Sequence, residues 1–173
     1  MPSTTFPTFT VLGLDPGLRR CGWGLVAVTG NHLRHVAHGV ITPPPAESLG
    51  VRLVHLEQGL DEVLDAHAID QVAVEQTFQN SNPQATLALG MARGICLLAP
   101  AKRGLPLRDY APNAVKKAVV GKGHADKAQV AMMVARLLNA PTLKTGDETD
   151  ALALAICHAH QAQFQRAAQV AVA

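Results

Sequence analysis

The fold is decided near the start of the chain, by Val11-Leu12-Gly13-Leu14-Asp15-Pro16-Gly17. The apolar run over residues 9–15 predicts a strand that ends in a carboxylate, and the Pro-Gly pair predicts a turn directly after it. A second strand is predicted over residues 22–29, and the Gly30-Asn31 turn leads to a third at about residues 32–42. The chain therefore begins with an antiparallel meander of three strands.

Short strands alternate with longer helical segments in the rest of the chain. Apolar residues at helical spacing predict helices over residues 47–67, 83–103, 112–119, 125–139 and 147–166, and short apolar runs predict strands at 71–75 and 105–109. A meander continued by crossover helices gives an α/β fold, a mixed five-stranded sheet flanked by helices. We expect one domain over residues 9–166, between a flexible extension at 1–8 and a C-terminal tail at 167–173.

Composition excludes several classes of protein. Cys21, Cys96 and Cys157 are far apart and lack C-x-x-C spacing, which predicts buried thiols in a reducing compartment rather than a zinc site. No run approaches the roughly 20 apolar residues of a membrane span, and the N-terminus does not have the pattern of a secretory signal. These features predict a cytoplasmic protein.

Basic residues are concentrated in one part of the chain. Residues 102–144 contain nine of the 15 lysines and arginines and only two of the 13 acids, a local net charge of +7 that leaves −5 for the remainder. Such a surplus indicates a polyanionic partner, because neutralising phosphates releases condensed counterions. The alternative is a solvated helix surface that acids elsewhere in the fold balance.

Four acids occupy unusual positions. Asp15 and Glu75 each end a buried strand, where ligand sites in α/β sheets gather. Asp147 and Asp150 are three residues apart at the start of the last helix and share one face. If that helix packs across the first strand, the carboxylates converge. Alternatively, Asp15 caps a turn, Asp147 is a helix N-cap, and Asp150 adds favourable charge to the first helical turn.

Converging carboxylates would repel one another and raise each other's pKa. A hard divalent cation such as Mg²⁺ removes that conflict, since it takes oxygen ligands. Two such ions about 4 Å apart can activate a water molecule and stabilise the leaving oxygen of a phosphodiester. The pattern therefore predicts a magnesium-dependent site for phosphodiester chemistry.

Four segments together resemble the RuvC family of Holliday junction resolvases, which have the ribonuclease H-like fold. They are Gly13-Leu14-Asp15-Pro16-Gly17 with Gly22-Trp23-Gly24, then Val74-Glu75-Gln76-Thr77-Phe78, then the basic segment from Lys116 to Lys127, and finally Asp147-Glu148-Thr149-Asp150-Ala151-Leu152-Ala153. The resemblance implies a homodimer that binds four-way DNA junctions and makes paired symmetric nicks in recombination and repair. It also implies 5′-phosphate and 3′-hydroxyl ends, a dependence on two Mg²⁺ per subunit for which Mn²⁺ can substitute, and work with the RuvA–RuvB branch-migration complex.

The resemblance assigns roles to individual residues. Asp15, Glu75, Asp147 and Asp150 match the family's metal ligands and catalytic acids. Lys116 and Lys127 match lysines that contact phosphate near the cut, and Phe78 matches an aromatic residue that stacks at the junction. By the same basic-segment reasoning, further DNA contacts are expected from Lys117 and Lys122, and weaker candidates are Arg19, Arg20 and His124.

The helix over residues 83–103 is the expected dimer seam. A two-fold junction requires two active sites related by a dyad, and glycines four residues apart let a second backbone approach closely. The seam would contain Leu87, Gly90, Met91, Gly94 and Leu98. A helix packed only on its own sheet is the alternative.

The eight histidines do not cluster at metal-ligand spacing, and His32, His35 and His38 are expected on alternating strand faces.

Three other functions fit parts of the sequence. An actin-like phosphotransferase would use Asp15 to hold Mg-ATP but needs two subdomains, for which 173 residues leave no room. A catalytically idle junction-binding protein would not need all four acids. Another ribonuclease H-like nuclease would share the Asp15 motif but usually lack the basic segment and the closing Asp-Ala-Leu-Ala.

Overall fold

The described residues form ten elements in the order that the hydrophobic pattern predicts. The computed structural model describes residues 7–76 and 82–172, with side chains of the last helix described to residue 162. The elements are β1 (Thr8–Asp15), β2 (Cys21–Thr29), β3 (His32–Ile41), α1 (Leu49–Ala66), β4 (Gln71–Glu75), α2 (Pro83–Lys102), β5 (Leu107–Tyr110), α3 (Pro112–Val120), α4 (Lys127–Leu137) and α5 (Asp147–Val172).

The five strands form one mixed sheet in the order β3-β2-β1-β4-β5. The pairs β1–β2 and β2–β3 are antiparallel, whereas β4 pairs parallel with β1 and β5 pairs parallel with β4. The predicted fold class is confirmed. It follows from the two kinds of connection, since tight turns join antiparallel neighbours and only helical crossovers can join parallel ones.

Some boundaries differ from the predicted ones for local reasons. The strand predicted at 105–109 is Leu107–Tyr110, because the Leu105 amide donates to the Pro100 carbonyl and so closes the end of α2. The helix predicted from residue 125 begins at Lys127, because Asp126 and Gln129 form a capping box. The last helix continues beyond residue 166 to Val172.

Two apolar layers cover the sheet. Leu12 and Leu14 face the layer of α1 and α2, whereas Val11 faces the layer of α3, α4 and α5. The run of α5 from Ala151 to Cys157 is buried on all sides, because the sheet lies under it and α3 and α4 lie beside it. This helix is therefore a central element of the core, and its N-terminal turn is held rigidly against β1 and β2.

Helix α5 approaches the sheet unusually closely because β1 and β2 present glycines beneath it. A Cβ at Gly13 would collide with the Ala151 carbonyl, and one at Gly22 would collide with the Asp147 carbonyl. At Gly24, a Cβ would lie 2.6 Å from the Leu152 side chain. Glycine within a strand commonly marks such a backbone approach. These three positions set the distance between the start of α5 and the ends of β1 and β2.

Helix α2 has the length and mean hydropathy of a membrane span, unlike any other helix in the part of the chain that the structure describes. This result corrects the expectation that no run approaches such a length, and it arises because alanine and glycine fill the gaps between the larger apolar residues. The helix also makes polar contacts within the domain: Arg93 pairs with Asp109 at 2.5 Å, and Lys102 pairs with Glu57 at 2.8 Å.

The prediction that His32, His35 and His38 fall on alternating strand faces is wrong for the last two. The pairing of β2 with β3 shifts register between Leu25 and Val26, which forms a bulge. The bulge adds one residue between His35 and His38, so that the two rings lie on one face. Nε2 of His35 and Nδ1 of His38 are 2.8 Å apart.

His158 provides a pH-sensitive contact in the core. The Tyr110 hydroxyl is 2.8 Å from its Nδ1 and the Gln71 Oε1 is 2.7 Å from its Nε2. Because Gln71 Oε1 can only accept, the neutral ring donates from Nε2 and accepts from Tyr110 at Nδ1. Burial and then the charge of Arg108 lower the pKa of His158 to about 4.

We expect His158 to reduce stability as the pH falls from about 6.5 towards 4. Over that range His158 becomes protonated in the unfolded chain but stays neutral in the folded protein, so the free energy of unfolding decreases. The decrease is about 2 kcal/mol after allowance for solvent screening. Urea unfolding of the wild type and His158→Gln at pH 7 and pH 5 measures the difference. The variant should lose less stability between the two pH values, whereas His55→Gln, at an exposed position on α1, should match the wild type. Equal losses in all three proteins would contradict the prediction.

Candidate active site

Asp15 and Glu75 meet because their strands are parallel neighbours. Leu14 pairs with Val74 in the register of β1 and β4, so the next residues, Asp15 and Glu75, leave the sheet side by side at its carboxyl edge. Each acid acts on the other, since the charge of Glu75 helps to raise the pKa of Asp15 and both side chains line one cleft. The two acids, 60 residues apart in sequence, are therefore neighbours at one edge of the sheet.

The remaining two acids come from the first turn of α5. The amides of Thr149 and Asp150 both donate to the Gly146 carbonyl, which starts the helix directly above the ends of β1 and β2. Asp150 faces the same cleft as Asp15 and Glu75. Asp147 lies beside this cleft without lining it, although its charge still acts on Asp15.

Asp15, Glu75 and Asp150 line a cleft of about 330 Å³ between the sheet edge and helices α3, α4 and α5. Lys116 of α3 and Lys127 of α4 line the same cleft. Apolar side chains form the rest of its wall, namely Pro112, Val115, Val130 and Ala153. The cleft thus combines desolvated carboxylates with two cations, a composition suited to a phosphate group that arrives together with metal ions.

Burial raises the pKa of Asp15 to about 8, with further contributions from the charges of Glu75, Asp150 and Asp147. Burial and then Asp150 also raise the pKa of Glu75, which the hydrogen bond from Asp15 and the charges of Lys127 and Lys116 partly oppose. Both shifts have the same physical cause, because desolvation and neighbouring like charges disfavour a second ionised carboxylate. The cluster holds more negative charge than the protein alone stabilises.

Two cations of the chain pair with the α5 acids. Lys127 Nζ lies 3.1 Å from Asp150, and Arg20 Nε lies 2.5 Å from Asp147. These pairs keep the side chains turned towards the cations, and no three Asp, Glu, His or Cys side chains among the described residues are spaced as ligands of a single ion. The donor chemistry nevertheless fits a hard divalent cation, since three carboxylates line one cleft, Asp147 lies beside it, and all three neighbours raise the pKa of Asp15.

The other predicted DNA-binding residues lie at varied positions. Phe78 lies outside the described residues. Lys117, Lys122 and His124 are exposed on α3 and the α3–α4 connection, outside the cleft lining. Arg19 is exposed beside Arg20, and the Arg20–Asp147 ion pair is a contact that sequence reasoning did not identify. Because the pairing partner lies 127 residues away, no local pattern could have indicated it.

The basic stretch over residues 102–144 is partly neutralised by another element. Lys102 pairs with Glu57, and Arg103 pairs with both Asp61 at 2.6 Å and Asp65 at 2.7 Å. These acids belong to α1, so the alternative of a balanced helix surface applies to the two cations at the end of α2. The lysines of α3 and α4 remain as the cations nearest the acid cleft.

A second cleft, of about 170 Å³, is lined by Gln71, Arg108, Tyr110 and His158 among others. Its histidine and tyrosine already bond to each other, and the second ring nitrogen bonds to Gln71. This arrangement is a satisfied structural network. The acid cleft, with its unbalanced charge, is the better candidate for chemistry.

Comparison with known proteins shows the family to which the chain belongs. The family described as crossover junction endodeoxyribonuclease RuvC matches residues 11–158. A Rhizobium etli protein of that name is 52% identical over 153 residues, which cover 88% of this chain and 90% of that protein. Thermus thermophilus RuvC in complex with a Holliday junction substrate is 34% identical with a TM-score of 0.83, over 91% of this chain and 96% of that one. The yeast mitochondrial Holliday junction resolvase Ydc2, 17% identical with a TM-score of 0.63 over 95% of this chain and 85% of that one, shares the fold.

Proposed function

Because this chain belongs to the RuvC family of crossover junction endodeoxyribonucleases, we propose that it resolves four-way DNA junctions with the cluster of Asp15, Glu75, Asp147 and Asp150 as its catalytic centre. The products are paired symmetric nicks with 5′-phosphate and 3′-hydroxyl ends. The activity is that of a DNA endonuclease in recombination and repair. The desolvated carboxylate cluster in a lysine-lined cleft is the observation that carries the proposed site.

The acids of the cleft and its lysines would have different roles, namely metal binding and phosphate binding. Mg²⁺ ions, two per subunit, would supply Lewis-acid stabilisation of charge on the scissile phosphate and generate a nucleophile at neutral pH. Asp15, Glu75, Asp147 and Asp150 would hold those ions. Lys116 and Lys127 would attract the phosphate and orient it against the acids. The apolar wall formed by Val115 and Val130 keeps bulk water away and so strengthens each of these electrostatic interactions.

A direct test compares three substrates on one gel. The purified protein is incubated with a synthetic four-way junction, a linear duplex of the same sequence, and an RNA–DNA hybrid, each with Mg²⁺, with Mn²⁺ or with chelator. We expect paired nicks in the junction alone, and only with a divalent cation. Equal cleavage of the linear duplex, or cleavage in chelator, would reject the proposal.

The cleft lysines should contribute to both binding and cleavage. Lys116→Ala and Lys127→Ala are each expected to slow cleavage and to reduce the slope of log binding constant against log salt by about 1, since each would remove one phosphate contact. Lys102→Ala is the matched control, because Lys102 of α2 is paired with Glu57 of α1. Both helices cover the face of the sheet opposite to α3 and α4, which carry the cleft lysines. Unchanged rates and salt slopes in both cleft variants would show that the two lysines are only solvated surface.

A homodimer is the second part of the proposal. The α2 face that contains Leu87, Gly90, Met91, Gly94 and Leu98 is the part of the fold best suited to a second copy. Leu87 is 62% exposed and Leu98 is 49% exposed. A Cβ at Gly90 or Gly94 would meet nothing within 4 Å. An apolar face with room for a close backbone approach suits an isologous two-fold contact.

Leu98→Glu is expected to convert the dimer to a monomer, because a carboxylate buried in that seam would lose its hydration without a partner. Sedimentation velocity measures the change directly. Met132→Glu is the control, since Met132 is 64% exposed on α4, away from the proposed seam. A dimeric Leu98→Glu protein would show that the dimer contact lies elsewhere than on α2. A monomeric wild type would show that there is no dimer.

The proposed partners and location follow from the function. A cytoplasmic protein that acts on recombination intermediates would meet its substrate as junction DNA held by the RuvA–RuvB branch-migration complex. Phe78, with Lys117 and Lys122, would then contact the junction outside the cleft. The exposed positions of Lys117 and Lys122 are compatible with such contacts.

A further inference from the structure

The outer strand of the sheet carries a histidine pair that the nuclease chemistry does not use. β3 is the edge strand next to β2. Its bulge brings the rings of His35 and His38 to a centroid distance of 4.9 Å, with an angle of 53° between the planes. Nε2 of His35 and Nδ1 of His38 point at each other across 2.8 Å. The bulge therefore places two imidazole nitrogens within hydrogen-bond distance of each other.

We propose that His35 and His38 bind one divalent transition-metal ion of the Zn²⁺, Ni²⁺ or Cu²⁺ class, at a site separate from the carboxylate cluster. Imidazole nitrogen is a preferred ligand of these ions, whereas Mg²⁺ prefers oxygen. Two protein ligands would be completed by water molecules, because His38 is exposed.

The geometry requires only a small adjustment. In a tetrahedral site with metal–nitrogen bonds of about 2.0–2.1 Å, two ligand nitrogens lie about 3.3–3.4 Å apart. The observed 2.8 Å is a hydrogen-bond distance, so the rings must separate by about 0.5 Å. Each ring must also turn its nitrogen lone pair away from the line that joins the two nitrogens, which rotation about the side-chain bonds allows. The ring that now donates the hydrogen bond shifts its proton to its other nitrogen, and no net proton transfer is needed.

The site is distinct from the catalytic cleft. His38 pairs with Gly24 and His35 with Val26, whereas Asp15 pairs with Gly22 one strand further in. Two strand spacings and two residues along the strand separate His38 from Asp15 by roughly 12 Å. A metal ion at the histidine pair would not share ligands with the acids. It would instead bridge the two sides of the bulge and stabilise the sheet edge.

The test is calorimetric titration of the full chain, without any affinity tag, with Ni²⁺ or Zn²⁺ alone in a non-chelating buffer that contains saturating Mg²⁺. We expect one site per chain, with Cu²⁺ bound more tightly than Ni²⁺. His35→Gln and His38→Gln should each weaken binding at least about tenfold, because loss of a mere supporting contact to a metal ligand already costs roughly 10–100-fold. His32→Gln, on the same strand, is the matched control and should bind as the wild type does.

Imidazole chemical shifts provide a second measurement that does not depend on the heat signal. Nitrogen NMR of the wild type should show Zn²⁺-induced shifts confined to two of the eight histidine rings, and both shifts should disappear in either variant. A wild type without saturable binding below about 1 mM would overturn the proposal and leave the pair as a structural hydrogen bond. Equal affinity in the wild type and in both variants would overturn it as well. Neither result would bear on the proposed nuclease function.

Discussion

Replacing Asp15 with asparagine is expected to reduce junction cleavage more than about 100-fold while leaving junction binding and folding intact. Asn keeps the shape of the side chain but removes the anionic ligand from the centre of the acid cluster. Loss of an outer-shell partner already lowers metal affinity or activity roughly 10–100-fold, so loss of a ligand should cost more. Single-turnover cleavage and a gel-shift titration with the same junction measure the two effects separately.

The fold should tolerate this change because the wild-type carboxyl is already neutral for much of the time. Its pKa of about 8, raised chiefly by burial, means that without metal Asp15 is largely protonated at pH 7. An asparagine amide is likewise neutral, has nearly the same shape and can donate a hydrogen bond as a protonated carboxyl can. Asp65→Asn is the control for the loss of one acid, since the Asp65 side chain on α1 is 71% exposed and pairs with Arg103 at the end of α2. Undiminished cleavage by Asp15→Asn in Mg²⁺ would reject the assignment of the site.

Replacing Gly13 with alanine is expected to destabilise the protein by about 3 kcal/mol or more, the upper end for overpacking of a well-packed core. The added Cβ would collide with the Ala151 carbonyl and would lie 2.9 Å from the Ala155 amide nitrogen, both backbone atoms of α5. A backbone cannot rotate away as a flexible side chain can, so the whole helix must move from the sheet. Urea unfolding of the variant and the wild type measures the loss.

The same displacement should also impair cleavage, because it separates Asp150 from Asp15. Any Gly13→Ala protein that remains folded at low temperature should therefore cleave the junction more slowly than wild type. Gly50→Ala is the matched control: Gly50 lies in α1 with nothing within 4 Å of its would-be Cβ. That change should leave cleavage unaltered and raise the free energy of unfolding by up to about 1 kcal/mol. A Gly13→Ala protein as stable as Gly50→Ala would show that α5 does not depend on this contact.

Most of the architecture could be predicted from local patterns. The apolar runs that end at Asp15 and Glu75, and the turn chemistry between β1, β2 and β3, depend on residues close in sequence, and these elements lie where they were expected. The acids were recognisable because a carboxylate at the end of a buried strand is unusual. Gly13, Gly22 and Gly24 contributed to the sequence prediction only as part of the segments that resemble the family. Glycine within a strand also indicates a close approach of another backbone, which these positions show.

Other features depend on contacts between distant parts of the chain. The Arg20–Asp147 pair and the neutralisation of Arg103 by α1 join residues that no periodicity connects. The bulge in β3 reversed the expected orientation of one histidine, because a single extra residue changes the face of every side chain after it.

The sequence by itself determined the order of strands and helices, the mixed sheet and the identity of the four acids, since each follows from short-range periodicity or from a residue's place at the end of an element. Only the tertiary structure decided how strongly those acids interact. The pKa of Asp15 depends on burial beneath α5 and on three acids brought from other elements. Desolvation and Coulomb energy depend on distances in space, and packing of the whole domain sets those distances.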